Sequence, residues 1–392
     1  MNNPKVSIIM SVYNGEPYLV SAIESILNQT FGDFEFIIID DGSTDQTWSI
    51  LSSYATKDPR IILIRNENNI GYTRSLNLGI KQSRGNYIAR QDADDISHPD
   101  RLAKQVAFLE KNIQVGLVGT FPEFIDTSGK TLPVSDYPFI QDNANIQKKL
   151  LDMNCIRHGS VMIRQHWLDV VGLYNVELEP SEDYDLWLRL AEVTQLENIP
   201  ESLYIYREHP NSESSKRRQR QIENKAIALE RAIYRRFGPN PPPESLKFVA
   251  RDYLRAAVVN FTNNEIGGAQ ACLKRGIELD PTLLESEIVK EVIKKYTPDQ
   301  PVEAAVHFIE ATFSGLLPQT CYLRQVESKL LSQLHMEEVF SAAGQGQYWR
   351  IGNHLWPGIR NNPGWLLNRG VLGIALRSLF RKSRAPDQVI KP

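Results

Sequence analysis

An α/β domain with a mostly parallel central sheet, followed by an α-helical C-terminal domain, is the fold class that this sequence predicts. Three observations carry it. Short β-rich apolar runs alternate with amphipathic helical segments through the first hundred residues. The chain is then broken at Gly238-Pro-Asn-Pro-Pro-Pro243, and residues 245–335 beyond the break read as helical hairpins. Repeated βα units build an open parallel sheet whose ligand site lies at the carboxyl ends of the strands.

The elements follow in order. Val6-Ser-Ile-Ile-Met10 has the continuous apolar character of a buried parallel strand. Pro17 to Gln29 places Leu19, Ala22, Ile23, Ile26 and Leu27 at helical spacing, and Phe34-Glu-Phe-Ile-Ile-Ile39 is a second strand. A helix starts at Thr44–Thr47, Ile61–Ile64 is a third strand, a further helix covers Thr73 to Gln82, and Tyr87-Ile-Ala89 forms a fourth strand. From about 100 to 210 the pattern is mixed, with candidate strands at 116–119, 160–163 and 202–205 and an amphipathic helix opening at Ser181. A basic helix covers about 213–237. The Pro-rich run is a stiff linker, which divides the chain into 1–238, a linker at 239–244, a helical domain at 245–340 and a basic, Trp-rich tail at 341–392. Tyr253, Ala256, Ala257, Ala269, Leu273, Gly276 and Pro281 fit a repeat of about 34 residues that looks tetratricopeptide-like, with a weaker unit at 304–311. An irregular helical domain accounts for the same spacing, and either form offers a surface to a protein partner.

Hydrophobic residues make up 42% and charged residues 23%, enough to bury a core. The three cysteines, Cys155, Cys272 and Cys321, are scattered without metal-ligand spacing, so a reducing, cytoplasmic compartment is expected. No run approaches the roughly 18 to 20 apolar residues of a membrane-spanning helix, and the first apolar run is too short for a secretion signal. Charge is distributed unevenly. Eight basic residues against the single acid Asp387 give +7 over residues 345–392, which leaves −10 for residues 1–344 out of a total of −3. The tail also holds Trp349, Trp356 and Trp365, half of the six tryptophans. Trp interleaved with Arg suits peripheral contact with the inner face of a membrane, while folding back onto the helical domain is the competing expectation. Nothing in the pattern calls for nucleic acid.

Four polar segments follow predicted strands or open a helix. Asp92-Ala-Asp94-Asp95 sets three carboxylates in four residues, which repel unless a cation lies between them. Mn²⁺ or Mg²⁺ shared with a diphosphate resolves that conflict; read alone, the stretch is more simply an acidic loop capping the next helix. Asp40-Asp-Gly-Ser-Thr-Asp45 offers Asp41 to a nucleobase or ribose, or else a turn with a helix cap. In Ser181-Glu-Asp-Tyr-Asp-Leu-Trp187, Glu182 and Asp183 favour a helix first turn, and Asp183 can also serve as a general base beside a wall carrying Trp187. His209, in Tyr206–Ser212, is a structural histidine or a metal ligand.

Together these segments resemble glycosyltransferase family 2. The matching text is Pro4-Lys-Val-Ser-Ile-Ile-Met-Ser-Val-Tyr-Asn14, Ser25-Ile-Leu-Asn-Gln-Thr-Phe31, Ile39-Asp-Asp-Gly-Ser-Thr-Asp45, Asn69-Ile-Gly71, Leu76-Asn-Leu-Gly-Ile80, Asp92-Ala-Asp-Asp95 and Glu182-Asp183. The ordered set covers about residues 4–212. The resemblance implies a GT-A-type nucleotide-sugar-binding domain and inverting transfer from a donor such as a UDP- or dTDP-sugar to a glycan or lipid-linked acceptor in cell-surface polysaccharide or glycoconjugate synthesis. It further implies that Ser11, Tyr13, Asp41, Arg74 and Asp92 bind the donor, that Asp94 and His209 hold the metal, and that Asp183 is the catalytic base. His158, Glu182 and Trp187 fall on the acceptor side, His158 being equally readable as a satisfied core histidine. A nucleotidyltransferase would need a Gly-rich basic loop after the first strand, where this chain has Tyr13-Asn-Gly-Glu16. A degenerate scaffold that binds sugar nucleotides without turnover is the other alternative.

Overall fold

The structure, a computed structural model, describes residues 3–133, 137–210, 212, 216–284, 289, 291–293, 301–314 and 321–381. Asn211, the expected helix start at 213–215, and the tail residues Lys382, Arg384, Asp387 and Lys391 lie outside the described residues. The chain divides into two compact units, Met1–Pro241 and Pro242–Pro392.

The first unit holds one mixed sheet in the order β3-β2-β1-β4-β7-β6-β8-β5. Its strands are β1 (Val6–Val12), β2 (Phe34–Asp40), β3 (Ile61–Arg65), β4 (Tyr87–Arg90), β5 (Ile96–Ser97), β6 (Val115–Ile125), β7 (Met162–Arg164) and β8 (Gln195–Arg207). β3, β2, β1 and β4 are parallel neighbours. β1 and β2 are buried along their whole length, which is why they read as unbroken apolar runs rather than alternating ones. Beyond β4 the parallel expectation changes. β7 runs antiparallel to both β4 and β6, β6 and β8 are parallel, and the two-residue β5 pairs antiparallel with β8. A three-residue and a two-residue strand are too short to show a period, so the reversal has no trace in the pattern.

The helices of this unit are α1 (Glu16–Leu27), α2 (Thr47–Ala55), α3 (Tyr72–Gln82), α4 (Arg101–Lys111), α5 (Asn143–Lys149), α6 (Gln165–Val171), α7 (Glu182–Leu190) and α8 (Arg218–Phe237). In α1, Pro17 occupies the first turn, where its missing N–H costs nothing. Its buried face is Leu19, Ala22, Ile23 and Ile26. These pack with Ile8, Met10, Phe36 and Ile38 in a core drawn from residues 6–203.

The second unit is helical: α9 (Pro243–Thr262), α10 (Ile266–Leu279), α11 (Pro301–Phe313), α12 (Cys321–Gly344), α13 (Tyr348–Asn361) and α14 (Arg369–Arg381). α9 and α10 are joined at Asn263–Glu265, where Asn264 takes φ 63°. A Cβ on Gly276 would lie 3.2 Å from the Ala250 carbonyl oxygen and 2.8 Å from Leu283 Cδ2, so glycine permits this close packing. α12 continues through the boundary expected at 341. α13 and α14 pack back on it through Met336, Val339, Ala342, Ile351, Leu355, Ile359, Val371 and Ile374. The residues expected to form a tail therefore belong, in good part, to a core. Among the described residues no helix is long and apolar enough to cross a membrane.

Candidate active site

Because β1, β2 and β4 are parallel, their carboxyl ends and the loops that follow meet at one edge of the sheet. Side chains from the β2–α2 loop stitch it to the β1–α1 loop. Ser43 Oγ accepts from Asn14 N at 2.9 Å, Thr47 Oγ1 from Gly15 N at 2.9 Å, and Asp45 Oδ2 from Glu16 N at 3.2 Å. With those N–H groups occupied, the loop is no cradle for a triphosphate. Ser11 is buried at the end of β1, and Tyr13 is half exposed just beyond it.

Asp41 is buried and binds the chain ahead of α3. Its carboxylate accepts from Asn66 Nδ2 at 2.8 Å, Ile70 N at 3.0 Å and Gly71 N at 3.0 Å. A carboxylate has about four lone-pair sites, so one stays open to a further N–H donor. Neighbouring Asp40 instead closes the turn, accepting from Ser43 N at 3.1 Å and pairing with Arg65. Arg74 is exposed on α3, its guanidinium donating to the Ile70 carbonyl at 3.2 Å.

Asp92 is anchored by a network that its sequence motif does not contain. Its Oδ1 accepts from Tyr72 Oη at 2.7 Å and from Arg90 Nη2 at 2.8 Å. Arg90 has no exposed surface, and it also donates to Tyr72 Oη at 2.6 Å, to His158 Nε2 at 3.3 Å and to the Ile9 carbonyl. Burial works against the charge on Asp92, but Arg90 and the Tyr72 hydroxyl outweigh it and hold the carboxyl below its usual range. A Cβ on Gly159 would approach Asp92 Oδ2 at 2.6 Å and Tyr204 Oη at 1.9 Å, so only glycine fits beside this carboxylate.

Asp94 is partly exposed, and its Oδ2 lies 2.9 Å from His209 Nε2. The 115-residue separation is closed by β8, which carries the chain back beside β5 to deliver Arg207 and His209. Arg207 Nε donates to the Asp94 carbonyl at 3.0 Å and its backbone N–H to Asp95 Oδ1 at 2.8 Å. Asp95 is fully buried with Oδ2 unpartnered, and burial, then Asp94 and Asp92, push its carboxyl well above the usual range. It lies inside the fold, behind the partly exposed carboxylate of Asp94. Among the described residues no group of three or more His, Cys, Asp or Glu side chains could hold a metal ion. One carboxylate and one imidazole fit a hard cation that takes its remaining ligands from a diphosphate and water, and do not fit one held by protein alone.

Asp183, in the first turn of α7, is partly exposed; its Oδ2 accepts from Asn154 Nδ2 at 2.8 Å and its Oδ1 from Tyr184 N at 2.7 Å. Burial raises its carboxyl to about 6, and Asp92 is near enough to add to the rise. Glu182 is buried with Oε2 unpartnered, and burial, then Asp183, holds it well above the carboxylate range. The acceptor-side expectation needs correction at Trp187. Trp187 has no exposed surface, and its ring meets His158 edge-on at 5.9 Å, so it forms part of the core and not a cleft wall. His158 accepts at Nε2 from Arg90 and lies 2.8 Å from Tyr174 Oη. Burial, reinforced by Arg90, lowers it to about 3, so the ring is neutral in this network.

Tyr72, Arg90, Asn154 and Tyr174 escape the sequence reading. One signal was available for Arg90, a lone cation closing the apolar run Tyr87-Ile-Ala, where burial demands an anion close by. The others come from segments without a motif.

The family model for glycosyl transferase family 2 matches residues 7–171. An uncharacterized glycosyltransferase of Haemophilus influenzae is 35% identical over 243 residues, which span 59% of this chain and 75% of the relative. The O-antigen biosynthesis glycosyltransferase WbnJ of Escherichia coli is 34% identical over 219 residues, 53% of this chain and 81% of its own. Among solved structures, residues 1–349 of S. aureus TarS in complex with UDP-GlcNAc superpose with a TM-score of 0.54 at 19% identity. That match covers 87% of this chain and 92% of that one, a likeness of fold.

Proposed function

The chain belongs to glycosyltransferase family 2, and from that membership we propose that it transfers a sugar, with inversion, from a nucleoside-diphosphate donor to an acceptor hydroxyl. The observation that carries the reading is the meeting of a charged Asp92, the Asp94–His209 pair and a base-competent Asp183 at one end of the sheet. WbnJ supports a role in cell-surface polysaccharide synthesis.

In this proposal Asp41 accepts a base N–H, Ser11 and Tyr13 flank the nucleotide with Arg74 at its edge, and Asp92 holds the ribose side. Asp94 and His209 would hold a Mn²⁺ or Mg²⁺ ion, whose charge offsets that of the departing diphosphate. Asp183 takes the proton of the acceptor hydroxyl as its oxygen bonds to the anomeric carbon. The bond from that carbon to the diphosphate oxygen breaks on the opposite face, and the electron pair leaves with the nucleoside diphosphate. Arg90 and Tyr72 keep Asp92 ionised and fixed in place.

The test is nucleoside-diphosphate release from a panel of UDP- and dTDP-sugars with Mn²⁺ or Mg²⁺. Asp94→Ala is expected to abolish donor binding. Asp183→Asn should keep binding by calorimetry yet lower transfer by about 10²–10⁴-fold. Wild-type turnover in both variants, or turnover unaffected by chelator, would overturn the assignment.

A further inference from the structure

Three successive elements of the second unit expose apolar side chains that its core does not use. On α13, Trp349 and Trp356 are 54% and 68% exposed. They stand seven residues apart on one face, with Arg360 a turn further on, while Ile351, Leu355 and Ile359 fill the core on the other side. The turn at Pro363–Leu367 leaves Leu367 88% exposed. On α14, Leu372 and Leu376 are exposed together with Arg369 and Arg377, while Val371 and Ile374 point into the core. Between Glu338 and Asp387 the sequence contains no acidic residue. Among the described residues Arg360, Arg369 and Arg377 form no ion pair with a carboxylate.

We propose that this face docks on an anionic lipid surface. Indole and leucine side chains gain by entering the headgroup boundary, while the arginines meet lipid phosphates. The charge selects this occupant. A second copy of the chain would set arginines against arginines, since these three elements themselves supply no carboxylate to answer them. Because no described helix is long and apolar enough to cross a bilayer, attachment is by lying on it. The proposal is independent of the sugar-transfer reading, since its measurement involves no donor.

The full chain is sedimented with vesicles of phosphatidylcholine alone or mixed with phosphatidylglycerol. It is expected to bind only the mixed vesicles, to shift its tryptophan emission to shorter wavelength on binding, and to be released by salt. Trp349→Ala/Trp356→Ala should weaken binding at least about tenfold. Arg360→Ala/Arg369→Ala/Arg377→Ala should lose about fivefold per arginine. Unchanged circular dichroism would show that both variants fold. No binding to mixed vesicles at low salt, or variants that bind as the wild type does, would overturn the proposal. So would a dimer by light scattering that the Trp variant abolishes, because the face would then be an interface between copies.

Discussion

Asp183 and Asp92 are the same residue type under opposite electrostatic control. Asp92, partly exposed, is held by Arg90 and the Tyr72 hydroxyl, so it stays charged through the neutral range. Asp183 has no such cation bonded to it, and burial raises it to about 6. The groups that face it are Arg157, which lowers it, Asp92, which raises it, Glu182, whose own carboxyl it raises, and the phenol of Tyr174. Since the base must be deprotonated, transfer is expected to fall about tenfold per pH unit below about 6 and to level off above. Asn154 donates to the carboxylate and favours its charged form, so Asn154→Ala should move this acidic limb toward higher pH. A pH–rate profile of kcat/KM checks both, and a limb that stays in place in Asn154→Ala would remove Asn154 from the account. None of this was visible in Glu182-Asp183 as letters, because the pair reads as a helix first turn whether it is buried or not.

At the scale of elements, loops that never touch in sequence hold one another. α3 is preceded by Gly71 at φ 100°, and its Thr73 N–H is received at 2.9 Å by Glu179, 106 residues away. The β2–α2 turn depends on Gly42, at φ 74°, where a Cβ would lie 2.7 Å from Asn68 C and 2.8 Å from Asn69 N. Gly42→Ala is therefore expected to cost about 1–3 kcal/mol in backbone strain alone. It should also displace the loop that Asp41 tethers, so thermal stability and nucleotide affinity should fall together. Calorimetric affinity at the wild-type level would show that the loop can shift without harm. The turn residues Gly42 and Ser43 were legible as a turn, and Asn69–Gly71 as a motif, but nothing in the sequence linked that loop to Asp41.

At the scale of the whole molecule, each unit has its own core: residues 6–203 supply one, and Met336 to Ile374 supply the other cluster. No side chain of the proposed donor and base sites comes from beyond residue 209. A chain ending at Pro241 is therefore expected to fold and to release nucleoside diphosphate at a rate within about threefold of the full chain, allowing for the usual context dependence of such effects. Aggregation of that fragment, or loss of turnover with intact circular dichroism, would show that the helical unit completes the first.

The sequence by itself determined the βα order of the first hundred residues, the break after Gly238, and the carboxylates Asp41, Asp92, Asp94 and Asp183. Those features are local, written in apolar period, Pro and Gly placement and short motifs. Only the tertiary structure decided what surrounds each carboxylate. It placed Arg90 on Asp92, His209 beside Asp94 and Asn154 on Asp183, and it left Asp95 and Trp187 inside the fold. It also packed the helices of the expected tail back onto α12. Arg90 is only two residues from Asp92, but Asn154 and His209 come from 29 and 115 residues away, and no local pattern carries that information.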